Sequence, residues 1–181
     1  LGPNLEGTRI GLVVPSYVTI DSIIELESNA DKFRGKIIGI DPGAGIMSKT
    51  EAVIKSYGLD NFILMEGSGA TMTAALADAI KNKEWIVVTG WTPHWKFAKW
   101  DLKYLEDPKK VYGGSEYIGT VVRKGLKDEM PEVYSLLDRF YWTPDDMAEL
   151  MVLNQEKGAD PYENAVKWIN KNKNKVDSWL K

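Results

Sequence analysis

The residues best equipped for chemistry gather where a hydrophobic strand ends. Residues 86–95 read IVVTGWTPHW, an apolar run that leads directly into Trp91, His94 and Trp95. His94 is the only histidine, and the chain has no cysteine. A thiolate metal site, a thiol nucleophile and a disulfide framework are thereby excluded. A lone imidazole serves as a hydrogen-bonding group, as an acid–base group, or as one ligand of a metal held otherwise by carboxylates. No Ser-His-Asp spacing accompanies it. Tryptophan offers different chemistry. Its π face attracts a cation, and several such faces suit a quaternary ammonium group, which has no strong hydrogen bonds to give. Trp91 and Trp95, four residues apart, share a face if they lie on a helical turn. They form either one wall of an aromatic cage or an apolar cover over the end of the sheet. Seven tryptophans occur in all, and four of them fall within residues 85–100, which favours a binding surface there.

A second stretch, PGAGIMSK at 42–49, is glycine-rich between an expected strand and an expected helix. Gly43 and Gly45 permit a tight turn and leave the first N–H groups of the helix facing outward. Such a terminus attracts an anion through its unpaired donors and its dipole. The spacing is neither GxxxxGK[ST] nor GxGxxG, and a plain turn would use the same glycines. Taken together, an aromatic wall and an anion-accepting terminus suit a ligand carrying a methylated cation and a carboxylate. The alternative from another class is a small-molecule enzyme with His94 and Asp41 as its acid–base pair, for which no nucleophile or metal set is visible.

These residues need a scaffold. Strands are expected at 8–15, 36–41, 61–67 and 84–91, alternating with helices over 19–33, 46–57 and 68–83. Asp21 is the expected N-cap of the first helix, and Gly58 the C-terminal cap of the second. Such alternation with short links implies parallel pairing in a three-layer α/β architecture. Ligands in such sheets lie beyond the carboxyl ends of the strands, where both IDPGAGIM and VTGWTPHW fall. After residue 101 a loop-like stretch leads to a strand at 117–126, and then to three amphipathic helices. Pro131 and Pro144 suit the first turns of two of them, with Thr143 as an N-cap. GTRIGLVVP and GTVVRKGL echo one another weakly, as two similar halves would.

The 181 residues suffice for one sizeable domain or two small lobes. A formal net charge of −3 argues against a nucleic-acid partner. No apolar run reaches the roughly 18 residues of a membrane span, and no signal-like segment opens the chain. It starts LGPNLEG without Met and reads as a processed product or an excised piece.

IGIDPGAGIMSKTEAVIKSYGL, GWTPHWKFAKWDLKYLEDPKKVYG and TVVRKGL closely resemble, in order, motifs of the glycine betaine/proline betaine substrate-binding proteins of ABC transporters. The resemblance covers most of residues 8–181. It implies a type II periplasmic-binding-protein fold with a C-terminal helical segment, and hinge closure without chemistry. It also implies no cofactor, an extracytoplasmic location and a membrane permease as partner. In that family a trimethylammonium group sits in a prism of tryptophans, which Trp91 matches. Gly45 and Ile46 match the backbone donors to the ligand carboxylate. His94 matches a histidine in position, although the family's carboxylate histidine often lies on the other lobe. Trp95 is expected to pack rather than to bind.

The segments resembling WDSE and WLPxTH, which bring two further tryptophans, do not occur here. The chain is therefore expected to be a C-terminal portion lacking most of the first lobe. Residues 1–36 are the end of that lobe and the hinge crossing, and 37–118 the second α/β lobe. Residues 119–181 are a return strand and helices packing across the hinge. Each cation–π wall contributes roughly 0.5–2 kcal/mol, so two missing walls imply weak or no betaine binding by this chain alone. An orphaned strand edge would favour homodimerisation or strand exchange.

Overall fold

The computed structural model describes residues 1–181. The chain divides into two compact units, one of residues 10–91 and 100–114, the other of residues 1–9, 92–99 and 115–181.

The first, an α/β unit, is built on a sheet of β1 (Pro3–Pro15), β2 (Lys36–Ile38), β3 (Ile63–Met65), β4 (Val87–Thr92) and β5 (Leu102–Tyr104), in the order β3-β2-β4-β1-β5. β2 pairs in parallel with both β3 and β4, as expected of strand–helix alternation. β5, in a stretch expected to be loop, is antiparallel to β1, so the sheet is mixed. α1 (Gly45–Tyr57) joins β2 to β3, and α2 (Gly69–Asn82) joins β3 to β4. Period-two alternation puts the helices on opposite faces. Ile37 and its neighbour Val87 lie in the core cluster with Ile46, Met47 and Val53 of α1. Ile38 instead lines a cavity with Ala75 and Ala79 of α2. Each such fully buried aliphatic side chain contributes about 1.5–3 kcal/mol.

Local signals set the helix ends. Gly58 closes α1 in the left-handed region at φ 64°, its N–H on the Ile54 carbonyl, as expected. Ser68 opens α2 with a reciprocal cap to Thr71. The expected helix over 19–33 is replaced by two 3-10 segments, Ile23–Glu25 and Glu27–Phe33. Ser22, not Asp21, is the cap there, and Glu25 accepts from the Asp21 and Ser22 N–H groups. The Asp21 carboxylate pairs with Lys103 at 2.5 Å instead.

In the second unit the first half of β1 pairs antiparallel with β6 (Glu116–Gly119). The expected strand over 117–126 stops at Gly119, so the Gly-Thr echo does not mark two similar strands. α4 (Leu126–Glu129) and α5 (Pro131–Arg139) follow, then α6 (Pro144–Leu153), α7 (Pro161–Lys171) and α8 (Lys173–Leu180). Pro131 and Pro144 stand in first turns, and the Thr143 side chain accepts from the Asp146 N–H, all as expected. The last expected helix divides at Asn172, whose side-chain amide donates to the Trp168 carbonyl at 2.9 Å and competes with the helical ladder. Trp142, Trp168 and Trp179 form an aromatic core with Phe140, their ring centroids 4.8–6.3 Å apart along the contacting pairs.

Candidate ligand-binding site

Connection order selects one crevice in the α/β unit. From β2 the chain crosses through α1 to β3 on one side, whereas from β4 it leaves toward the far edge of the sheet, where β5 lies. The gap between the carboxyl ends of β2 and β4 is therefore the switch point at which open α/β sheets place ligands. Pairing of Ile38 with Val88 sets the register. Trp91 lies three residues beyond Val88, and Asp41 three beyond Ile38. The turn into α1 and the Trp91 side chain thus leave the sheet at the same level. Trp91 is half-buried and packs against the core cluster that contains Ile46, Met47 and Tyr112.

α1 begins with exposed Gly45 and buried Ile46. Its N-cap, Ala44, has extended backbone and gives no side-chain cap. α2, α6 and α7 all receive one. The N–H groups of Gly45 and Ile46 are among those that the helix itself cannot satisfy, and the partial positive charge of the helix terminus lies with them. The space beside Gly45 is open, since a Cβ there would meet nothing within 4 Å. The turn is firmly seated. The Asp41 carbonyl accepts from Ala44 N at 3.0 Å. Met47 Sδ accepts from Ile40 N at 3.2 Å, and a Cβ on Gly39 would come within 2.5 Å of that sulfur. That Cβ would also come within 2.9 Å of the Met65 carbonyl oxygen in β3, so glycine at 39 lets the chain leave β2 this close to β3.

A polar frame that sequence reasoning missed holds the rest of α1 against the loop after β5. Asp107 Oδ1 accepts from the Tyr57 hydroxyl at 2.5 Å, and its Oδ2 from Tyr112 N at 2.8 Å. Lys109 N donates to Tyr57 Oη at 2.7 Å, and its ammonium reaches the Ser56 carbonyl. Lys49 Nζ donates to the Tyr112 carbonyl at 2.7 Å. The bonds that tie α1 to this loop join residues at least 50 apart in the chain, so no periodicity could have paired them. The one signal was LEDPKKVYG itself, dense in groups that form hydrogen bonds yet read as a loop.

His94 and Trp95 belong to the other unit. Trp91 lies in β4 and Trp95 just before α3 (Lys96–Lys99), so the pair does not share a helical face as the spacing suggested. Lys99 Nζ sits 5.4 Å from the Trp95 ring centroid, so Trp95 already has a cation. His94 Nδ1 accepts from Lys96 N at 3.1 Å. Burial, and then the Lys96 charge, hold the imidazole down at about 4. The ring is neutral near pH 7, and since Nδ1 accepts, its proton is on Nε2. Trp85 meets Phe33 in a tilted pair with ring centroids 5.2 Å apart and lies under Lys32.

The family model for the substrate-binding domain of the ABC-type glycine betaine transport system matches residues 1–171. The chain belongs to that family. It is 55% identical over 145 residues to the glycine betaine/carnitine transport binding protein of Listeria monocytogenes, an alignment covering 79% of this chain and 48% of that one. It therefore spans about half the length of that relative. Lactococcal OpuAC, solved closed with glycine betaine, superposes with a TM-score of 0.88 at 49% identity, over 99% of this chain and 70% of that one. The glycine betaine/L-proline-binding protein of Borrelia burgdorferi gives a TM-score of 0.88 at 44% identity, over 99% and 68%. The architecture is accordingly of the periplasmic-binding-protein kind. The family comprises transporter binding proteins and not enzymes, which disposes of acid–base catalysis by His94 and Asp41.

Proposed function

We propose that this chain serves the substrate-binding component of an ABC importer for betaines, small molecules with a quaternary ammonium group and a carboxylate. The observation that carries the reading is the switch point between β2 and β4, where Trp91 and the uncapped terminus of α1 leave adjacent strands. Trp91 faces the cation, which offers no donor and gains from the π face. The N–H groups of Gly45 and Ile46 take the carboxylate. A carboxylate site disfavours choline, which lacks the anion. The names of the relatives, glycine betaine/carnitine and glycine betaine/L-proline, are in keeping with this ligand class. The component works outside the cytoplasm and delivers its ligand to a membrane permease. No helix of the chain is long and apolar enough to cross a membrane itself.

The test is a titration of the 181-residue chain with glycine betaine, followed by amide and indole resonances so that millimolar affinity is measurable. The Gly45 and Ile46 amides and the Trp91 indole are expected to shift saturably. In Trp91→Ala the saturable response should vanish. Unchanged affinity in that variant would overturn the assignment.

A further inference from the structure

An anion site made of two backbone N–H groups depends on where its helix is held, to within about 0.5 Å. Resting on the reading of α1 as the carboxylate site, we propose that the Tyr112 hydroxyl is a positioning group for it, acting through Thr50 on the first turn of the helix. Thr50 Oγ1 is 2.7 Å from the Ile46 carbonyl oxygen and can only donate to it. Tyr112 Oη lies 2.7 Å from the same Oγ1. The single Thr50 proton is committed to Ile46, so Tyr112 donates to Thr50. The result is a directed relay, phenol to hydroxyl to carbonyl, in which each bond polarises the next. It ends on the residue whose N–H is assigned to the ligand.

The surroundings support the direction of the relay. Tyr112 is 3% exposed and Thr50 is fully buried, so neither hydroxyl has water as an alternative partner. Burial pushes the Tyr112 phenol well above its ordinary value, which keeps it a donor across the working pH range. The residue is also held independently of its hydroxyl, by its N–H on Asp107 Oδ2 and its carbonyl under Lys49 Nζ. Tyr112→Phe therefore leaves the loop docked and removes only the relay.

The experiment titrates the whole chain, as wild type and as variants, with glycine betaine and with choline, which shares the cation but has no carboxylate. Tyr112→Phe is expected to weaken glycine betaine about 3–10-fold, the range of one lost hydrogen bond, and to leave choline unchanged. Thr50→Val should reproduce the loss. Thr50→Ser, which keeps the hydroxyl, should restore wild-type affinity, and this pair decides the point without choline. Equal weakening of both ligands, or Thr50→Ser behaving like Thr50→Val, would reduce Tyr112 to a general structural residue. Unchanged glycine betaine affinity in Tyr112→Phe would overturn the relay outright. If the wild-type Gly45 and Ile46 amides do not respond to glycine betaine at all, the carboxylate reading of α1 fails first, and the relay with it.

Discussion

His94 and Lys96 show how surroundings set the charge of single residues. Burial, helped by the charge of Lys96, holds His94 at about 4, below its ordinary 6.5. The unfolded chain then takes up the proton first as pH falls, so this residue's contribution to stability is lost between about 6.5 and 4. Thermal melts across that window should show a smaller fall in Tm for His94→Gln than for the wild type. Lys96 is fully buried, and desolvation lowers it from 10.5 to about 7. The unfolded chain binds the extra proton between those values, so stability should climb as pH rises from about 7 to 10.5. Lys96→Met should flatten that climb. An unflattened climb would show that the ammonium is better solvated than its burial implies. Neither shift could be read from the residue types, because desolvation, the first cause of both, comes from atoms that only the fold brings near.

Among the elements, α1 carries the clearest trade between stability and function. Its apolar face and its Gly58 stop were evident from spacing, as was its glycine-rich entry. Ala44 gives no side-chain cap, and the proposed function assigns the first N–H groups to the ligand carboxylate. Ala44→Asp should cap the helix, stabilise the fold by about 1 kcal/mol, and compete with a bound carboxylate. A raised Tm together with weakened glycine betaine binding is the expected pair of results. A raised Tm with full affinity would mean that the ligand does not use this terminus. The segment over 19–33 shows the opposite case. Its apolar residues fit a helical period, but the Ser22–Glu25 cap and a non-helical Asn29 (φ −119°, ψ 16°) tighten it into 3-10 turns. A strong local cap overrode the periodicity.

For the whole molecule, the balance of coverage matters most. The chain covers 70% of lactococcal OpuAC, and the segments from which the family resemblance draws two further tryptophans are not in this sequence. On the proposed reading, two absent cation–π walls at roughly 0.5–2 kcal/mol each cost about 1–4 kcal/mol. The expected outcome is a glycine betaine affinity roughly five- to several-hundred-fold below that of the lactococcal protein. Side-by-side calorimetry decides it. Equal affinities would mean that this chain completes its own cage.

The sequence by itself was enough for the family, for strand–helix alternation through β4, and for most helix stops and caps. The family followed from the resemblance of whole motifs, whereas the helix stops and caps rest on local chemistry: glycine in the left-handed region, proline in first turns, a hydroxyl on a free N–H. It also supplied Trp91, Gly45 and Ile46 as the candidates on which the proposed function rests. That β2 and β4 are neighbours, and that their ends form a switch point, followed only from long-range pairing. The same is true of the Tyr112–Thr50–Ile46 contacts across 62 residues of chain. Such contacts carry no period and no fixed spacing. They arise when distant segments bury the same surface and their polar groups must find partners there.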